Sequence, residues 1–462
     1  MTPALLASLR AIVGEQQLLH APADCWPYGY DNSRREALPE AVIFPLDHAQ
    51  TCHIVQFCNQ HKIAITARGK GTGTTGATVP IAGGVVLSFE RMNQIIKVDP
   101  ANRVMVVTPG VTNQEVQEAA GEHGFFWPPD PTSAAVCTVG GNLAYNSSGP
   151  RAVKYGTPRE NTLGLRAITG DGREIRCGVY TTKGVVGYDL TRLLIGSEGT
   201  LAIITEATLK LTPLPEAKRT LQAIYATIDD AASAVSAIMA QAVVPCALEF
   251  IDGTAIEMIR NYSKSDLPEG AGAMLMIEVD GLNAGLNEAV EKVSEAARNS
   301  GLIKLQTAAT RAEIQALWNT RKALSPALRN VAPRKINEDI VVPVSSLPAL
   351  TRGLQQLSKQ HNIPIVNFGH AGNGNLHTNL LLDPDDPQQM QAAEQCLDAV
   401  IDLVLTLNGT ISGEHGIGIV KREFVRREID ETTLTLMRQI KQQFDPNGIL
   451  NTGKTLPEAT TE

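Results

Sequence analysis

Closely spaced cysteines are missing from this 462-residue chain, because its seven cysteines are dispersed. This distribution excludes a disulfide framework, an iron–sulfur cluster site and a cysteine-rich zinc site. Long apolar runs are missing too. The best candidate, 396–407, carries Asp398 and Asp402 and is shorter than the roughly 20 apolar residues of a membrane helix. We therefore expect no membrane span.

An excess of positive charge is also lacking. The 40 Lys and Arg residues are scattered and are outnumbered by 48 Asp and Glu residues, for a formal charge of -8. The sequence therefore lacks the cluster of basic residues that is typical of nucleic-acid-binding proteins, and we exclude nucleic acid as a partner. The first 14 residues have neither an early basic region nor a cleavage site, so they do not resemble a signal peptide. The expected location is cytoplasmic.

Two short motifs concentrate histidine. His370 and His377 flank a glycine-rich loop that is unsuited to helix, so both imidazoles can turn toward one point. On the strand expected to follow, His377 and Asn379 share a face because side chains alternate. With Glu414 the two histidines form a candidate three-ligand metal site, and His415 is then available to move a proton. A structural turn is the alternative for the histidine pair.

Glycine-rich segments point to a phosphate-bearing ligand. The first, Arg68–Gly76, follows a predicted strand at 63–67 and can present backbone amides to a phosphate, although a plain turn is the alternative. A strand at 85–89 follows it instead of the helix that a Rossmann or Walker motif requires. Two further segments, 138–149 and 195–205, supply small residues and backbone donors. Together they suit a large nucleotide cofactor.

The remaining pattern predicts alternating strands and helices. A strand at 41–45 precedes a helix at 47–60 that Asp47 caps. Beyond Pro213 and Pro215, taken as a domain boundary, strands are predicted at 221–227, 247–251, 273–279 and 303–308. Helices are predicted at 229–241, 283–299, 311–328 and 429–444.

In this order the motifs resemble flavoproteins of the vanillyl-alcohol oxidase type, in the branch with D-lactate dehydrogenase, D-2-hydroxyglutarate dehydrogenase and the FAD subunit of glycolate oxidase. The resemblance covers the chain from about Pro39 to Lys454. It implies an α+β fold with a PCMH-type FAD-binding domain at 1–215. It also implies an α+β cap domain for substrate and metal at 216–415, and a C-terminal segment, 416–462, that packs on the FAD domain.

The resemblance further implies which residues bind FAD. The first loop would hold the pyrophosphate, and the other segments would line the adenine, the ribityl chain and the isoalloxazine. Covalently flavinylated relatives carry a histidine in the first loop, and this loop has none, so dissociable FAD is expected. The implied cofactor-binding residues are Arg68, Gly69, Gly71, Thr72, Gly73, Thr74, Gly76, Pro129, Asp130, Ser133, Gly140, Gly141, Asn142, Asn146, Ser148, Glu198, Gly199, Ile203 and Asn451.

Candidate substrate residues lie within the predicted cap. Arg321 and Ser325 are four residues apart on a predicted helix and so share a face, and Arg can grip a planar carboxylate with two hydrogen bonds. The resemblance implies that Arg321, Ser325 and Lys335 hold the substrate C1 carboxylate, with Asn379 close by. A surface position is the alternative for Arg321, and a surface ion pair is the alternative for Lys335.

These expectations combine into one activity. We expect FAD-dependent oxidation of a D-2-hydroxy acid, with D-lactate as leading substrate, assisted by a divalent metal such as zinc. The electrons would pass to a quinone, a cytochrome or an electron-transfer flavoprotein. Alternatives are D-2-hydroxyglutarate oxidation, a glycolate-oxidising subunit with iron–sulfur partners, a sugar or alcohol oxidase on the same fold, and a flavin-free binding protein. A homodimer is the commonest default assembly.

Overall fold

The computed structural model describes residues 1–262, 268–308 and 310–459, with a few helical side chains, that of Ser325 among them, outside the described set. The chain forms two compact units. The first comprises Met1–Ser148, Gly156–Leu214 and Glu414–Glu462, and the second comprises Gly149–Tyr155 and Pro215–Gly413. The division into an FAD-binding domain at 1–215, a cap domain at 216–415 and a C-terminal segment at 416–462 stays a prediction.

Both units contain β-strands. In chain order they are β1 Leu18–Leu19, β2 Ala41–Ile43, β3 Ile65–Arg68, β4 Val85–Ser88, β5 Ile95–Asp99, β6 Val104–Val107, β7 Phe125–Phe126, β8 Thr162–Thr169, β9 Glu174–Gly178, β10 Ala202–Lys210, β11 Thr212–Pro213, β12 Ala217–Tyr225, β13 Ala247–Asp252, β14 Ala273–Gly281, β15 Leu302–Thr307, β16 Arg334–Val341, β17 Ile365–Gly369 and β18 Asn375–Leu382.

The helices are distributed between the strands. In chain order they are α1 Pro3–Val13, α2 Pro22–Cys25, α3 His48–Gln60, α4 Asn113–Gly121, α5 Val139–Tyr145, α6 Ala152–Tyr155, α7 Leu190–Leu194, α8 Ile228–Ala240, α9 Gly253–Tyr262, α10 Asn283–Ala296, α11 Arg311–Val331, α12 Leu347–His361, α13 Pro387–Thr406, α14 Val425–Glu428 and α15 Glu431–Phe444. Across the described ranges, no helix combines the length and apolar content that crossing a bilayer demands.

The first unit contains two main sheets. One has the order β1-β2-β4-β3, in which β4 pairs in parallel with β2 and β3. The other is antiparallel with the order β5-β6-β10-β8-β9. The parallel strands are buried on both faces, which explains why β2 and β4 read as apolar runs without alternation. The glycine loop follows directly from β3, so its position is set by this sheet.

The second unit is built on one antiparallel sheet with the order β15-β12-β14-β13-β17-β18-β16. One face packs apolar side chains against α8, α10, α12 and α13. The opposite face packs against α9 and α11 over part of its area, around Ile251, Leu324 and Phe368. The rest of that face carries buried polar side chains. Because this second face, the polar face, carries such side chains, it can bind a polar ligand or hold catalytic groups.

Several local predictions are confirmed. Asp47 caps α3 by accepting a hydrogen bond from the Gln50 amide at 2.8 Å, and no helix intervenes between the first glycine loop and β4. Asn283 and Arg311 begin helices as predicted, although α11 extends to Val331. The helix α5 was not predicted, because Gly140 and Gly141 disfavour helix in isolation.

Candidate functional site

In the first unit the three glycine-rich segments converge on one cleft. From the predicted set, the cleft is lined by Arg68, Gly69, Gly140, Gly141, Gly199 and Ile203. Pro109, Thr138 and Ser197 contribute further lining. Glycine main chain and small side chains form part of the walls, Phe89 and Leu194 add larger apolar side chains, and the lining residues run in sequence from Ala67 to Ile204. A long ligand with phosphates and a flat ring, as FAD is, fits this lining chemistry.

Gly140 shows how closely the segments approach. A β-carbon built there would lie 2.6 Å from Cβ and 3.0 Å from the carbonyl oxygen of Pro109. The Gly140 amide also donates a hydrogen bond to that carbonyl, at 2.9 Å. Neither group can move aside as a flexible side chain would, so glycine is needed here.

We expect Gly140→Ala to lower the flavin content of the purified protein. The added methyl group must displace Pro109 from the cleft wall, and overpacking of this kind costs about 1–3 kcal/mol. The measurement is the ratio of flavin to protein absorbance after purification. Gly121→Ala is the matched control, because a β-carbon at Gly121 meets nothing within 4 Å. Full flavin content in Gly140→Ala would contradict the assignment of this wall to FAD.

A buried charge cluster lies beside the first loop. Glu198 accepts hydrogen bonds from the amides of Ile417 and Gly418, both at 2.7 Å. Burial raises the pKa of Glu198 to about 6, although these amides act to lower it. Lys454 donates to the Ala77 carbonyl at 2.8 Å, and burial lowers its pKa to about 7 against the opposing effect of Asp31 and Glu198. The cluster joins the C-terminal segment to the loop within this unit.

Several predicted cofactor residues have their side chains engaged by protein. Arg68 donates to the Tyr30 carbonyl at 2.7 Å and is buried. Asn142 is buried and donates to Ser147 Oγ at 3.2 Å. Asn146 adopts a left-handed backbone conformation at the end of α5, with φ of 57°. These contacts stabilise the loop conformations. The same residues can do this in addition to any contact they make with a cofactor.

The other predicted cofactor residues lie in loops of the same unit. Gly76 donates its amide to Asp31 at 3.0 Å, and Asp130 donates its amide to the Ser148 carbonyl at 2.8 Å. Asn451 donates to the Glu198 carbonyl. The remaining members are Gly71, Thr72, Gly73, Thr74, Pro129 and Ser133.

In the second unit, Glu249 joins two of the predicted site residues. It lies on β13 with its side chain on the polar face, because its neighbours Leu248 and Phe250 point into the opposite core. Its carboxylate accepts from Arg321 Nε at 2.6 Å and contacts His370 Nδ1 at 2.5 Å. Burial raises the pKa of Glu249, but His370 and Arg321 lower it more, to about 2. Glu249 is therefore ionised at neutral pH.

Arg321 is buried, with 9% of its surface exposed, so the surface alternative for it is wrong. Its guanidinium lies 4.9 Å from the centre of the Phe368 ring, a cation–π distance. With Nε directed at Glu249, the two Nη groups have the fork geometry that suits a carboxylate. Ser325 lies on the same helix, but its side chain is outside the described residues.

The two histidines lie together in the second unit. Their ring centres are 5.2 Å apart and nearly perpendicular, and both side chains are buried. Gly374 between them has φ of +74°, and a β-carbon there would overlap the Val342 carbonyl oxygen. The glycine loop therefore brings the imidazoles together, as the sequence predicts. His377 Nδ1 also lies 3.8 Å from Asp339 Oδ1.

Asn379 shares the face of His377 on β18, but its amide is used within the sheet. It accepts from Asn337 Nδ2 at 2.8 Å and donates to the carbonyls of Val366 and His377. It is fully buried. Lys335 is half-buried on β16, opposite Leu381. Asn379 thus shapes the sheet around the histidines.

Glu414 and His415 begin the last segment of the first unit. The Ser148 amide donates to Glu414 Oε2 at 3.4 Å, and Thr75 Oγ1 donates to the His415 carbonyl at 3.2 Å. His415 Nε2 lies 4.0 Å from Glu414 Oε1. Both residues therefore stand beside the glycine-rich segments that line the flavin cleft.

Sequence reasoning missed three acidic residues that organise these sites. Glu249 interrupts the apolar run at 247–251, which is a usable signal, because a buried charge needs a partner. Asp339 is fully buried and accepts from Asn375 Nδ2 and from the Gly413 amide, both at 2.8 Å. Asp31, which binds the first glycine loop, gives no comparable signal, since it lies in a polar stretch.

Two family models match the chain. The model described as "FAD binding domain" matches residues 39–178. The model described as "FAD linked oxidases, C-terminal domain" matches residues 214–455, which is more than half of the chain. The prediction of an FAD cofactor is thereby confirmed.

Proteins of known name are similar over nearly their whole length. Glycolate oxidase subunit GlcD of Bacillus subtilis is 39% identical over 428 residues, covering 92% of this chain and 91% of that protein. D-lactate dehydrogenase of Archaeoglobus fulgidus is 36% identical over 442 residues, covering 94% of this chain and 96% of that protein.

Solved structures share the fold. p-Cresol methylhydroxylase with substrate bound superposes with a TM-score of 0.79 at 17% identity, covering 100% of this chain and 99% of the other. Alkyldihydroxyacetonephosphate synthase gives a TM-score of 0.76 at 20% identity, covering 98% of this chain and 86% of the other. The predicted PCMH-type α+β fold is therefore confirmed. The chain belongs to the FAD-linked oxidase family and is an FAD-linked oxidoreductase.

Proposed function

We propose that this protein oxidises a D-2-hydroxy acid to the corresponding 2-oxo acid, with D-lactate as the favoured substrate. The observation that carries the proposal is the buried Arg321, which Glu249 holds beside His370 on the polar face of the sheet. A buried guanidinium needs anionic partners, and a substrate carboxylate supplies a second one. Glycolate and D-lactate, in the names of the two relatives, are both 2-hydroxy carboxylates.

The proposed carboxylate clamp consists of Arg321, Ser325 and Lys335, with Asn379 nearby. Arg321 would contribute two parallel hydrogen bonds from its Nη groups, since Nε is already committed to Glu249. Lys335 would add a second positive charge. Because Phe368 lies beneath the Arg321 guanidinium, the side chain is oriented before substrate arrives.

The proposed metal ligands are His370, His377 and Glu414, and zinc is the favoured ion. A carboxylate on the second nitrogen of a ligating imidazole fixes its tautomer, and Glu249 lies in that position on His370 Nδ1. The proton on Nδ1 then leaves Nε2 to offer a lone pair. A divalent ion held there would supply charge that lowers the pKa of the substrate hydroxyl.

His415 is proposed as the base that accepts the hydroxyl proton, and bound FAD would supply the hydride acceptor. The side chain of His415 is partly exposed, so the proton can pass to solvent afterwards. The FAD is proposed to be non-covalent, so acid denaturation should release all of it into the supernatant. The electron acceptor is proposed to be a quinone, a cytochrome or an electron-transfer flavoprotein.

Anaerobic addition of substrate tests the reaction. We expect D-lactate to bleach the flavin absorbance of the purified protein, while L-lactate leaves it unchanged. Glycolate and D-2-hydroxyglutarate belong in the same series, because the glycolate oxidase relative and the second basic residue Lys335 make them the nearest rivals. The fastest reduction identifies the substrate. Bleaching by none of these acids would refute the hydroxy-acid assignment.

Chelation tests the metal. We expect elemental analysis to find about one divalent ion per chain, and dialysis against a chelator to slow flavin reduction by about 10²-fold or more while FAD stays bound. Restoring zinc should restore the rate. Unimpaired reduction by the metal-free protein would eliminate metal assistance without affecting the assignment of FAD.

A further inference from the structure

An exposed apolar loop projects from the first unit between β9 and α7. All residues from 179 to 189 are exposed. At its tip, Val185 is 96% exposed, Val186 is 98% exposed and Tyr188 is 96% exposed. The other exposed large apolar side chains in the described part of the chain are less exposed, with Leu282 the highest at 67%. A cluster of apolar side chains with this degree of exposure indicates an interaction site.

The loop is anchored at both ends. Tyr180 OH donates to Asp99 Oδ2 at 2.9 Å, and Lys97 Nζ lies 3.1 Å from the same hydroxyl. At the other end Asp189 caps α7, accepting from the Arg192 amide at 3.0 Å. The two ends of the loop are therefore held in place by hydrogen bonds, and the apolar tip projects between them.

The charge of the loop differs from that of the whole protein. Between Cys177 and Tyr188 the single charged side chain is Lys183, which lies two residues before Val185. The chain as a whole has a formal charge of -8. Asp189, the acidic residue at the end of the loop, pairs with Arg192 Nη1 at 2.7 Å. Lys183 therefore makes the tip locally positive on an acidic protein, and this sign is complementary to an anionic surface.

We propose that this loop docks on anionic lipid, with Val185, Val186 and Tyr188 entering the boundary between headgroups and acyl chains. Three side chains cannot provide the roughly 800 Å² per partner of a stable protein interface, but they suffice for reversible attachment to a bilayer. Tyrosine favours the headgroup level, and Lys183 would pair with lipid phosphate there. The proposal is independent of the proposed reaction.

Vesicle sedimentation of the flavin-loaded protein tests the proposal. We expect the protein to sediment with vesicles of equal parts phosphatidylcholine and phosphatidylglycerol, and less with phosphatidylcholine alone. The triple variant Val185→Ser, Val186→Ser, Tyr188→Ser should lower the partition coefficient by about tenfold or more. Lys183→Glu should abolish the preference for anionic vesicles. Unchanged flavin content and melting temperature show that each variant is folded.

The matched control is the triple variant Leu282→Ser, Ile303→Ser, Leu436→Ser, which removes exposed apolar side chains elsewhere. It should bind vesicles as the parent protein does. Failure of the parent protein to bind either vesicle would overturn the proposal, and so would equal losses in the two triple variants. A third outcome also overturns it: if the loop variant converts an oligomer to a monomer without affecting vesicle binding, the loop is an interface between copies of this chain.

Discussion

Replacing His415 by asparagine should slow flavin reduction by about 10²–10⁴-fold while FAD stays bound, because loss of a general base has this effect. We expect this substitution to leave the surrounding main chain in place. The main chain at His415 is held through its carbonyl by Thr75, so the side chain can change without moving the loop. Asparagine keeps polarity and approximate size but cannot accept the proton. The measurement is stopped-flow absorbance of the flavin after anaerobic mixing with D-lactate.

Two controls make this result specific to proton transfer. His123→Asn changes an exposed histidine of the same unit and should leave the rate unaltered. Added imidazole should partly rescue His415→Asn, since a small base can enter the space that the side chain leaves. Reduction at close to the normal rate in His415→Asn would show that another group accepts the proton.

Replacing Glu249 by glutamine should have the largest effect on stability. The carboxylate is 1% exposed and lies between Arg321 and His370. Removing one partner of a buried ion pair costs about 3–5 kcal/mol, because the remaining charge stays buried without compensation. Glutamine keeps the shape but turns a donor toward one of these neighbours. We expect a lower free energy of unfolding, and a lower kcat/KM because the proposed clamp and the proposed ligand are both displaced.

The effect of Glu249→Gln should depend on pH in a defined direction. The pKa of Glu249 falls from 4.5 to about 2 on folding, so its ionised form is the one that stabilises the folded protein. This stabilisation is complete above about pH 4.5 and is lost as the pH falls through about 2. The difference in unfolding free energy between parent and variant should therefore shrink in acid, as the pH falls from about 4.5 through about 2. Urea titrations at several pH values measure it.

Glu278→Gln is the matched control for this variant. Glu278 is another buried glutamate on the same face, where it accepts from Trp318 Nε1 at 2.9 Å and from Thr220 Oγ1 at 2.8 Å. The control should lose stability but keep its metal content, whereas Glu249→Gln should bind metal about 10–100-fold more weakly. Equal metal content in the two variants would show that Glu249 has no positioning role toward His370.

Local sequence patterns were sufficient for the parts of the fold that local physics governs. The cap at Asp47, the uninterrupted passage from the first glycine loop to β4, and the shared face of His377 and Asn379 all follow from interactions over a few residues. Helix α5 was missed because its stability comes from packing of Val139 and Leu143 in a core, which overrides the cost of two glycines.

The sequence by itself determined the chemistry that is available: glycine segments for a phosphate-bearing cofactor, a histidine pair around a flexible turn, and an arginine on a helix. Only the tertiary structure decided how these groups are used. Glu249 is 72 residues from Arg321 and 121 residues from His370, so its role as their common partner appears only when β13, α11 and β17 pack together. Burial then makes the contacts of that carboxylate important for stability, because a charge removed from water must be compensated by partners within the protein.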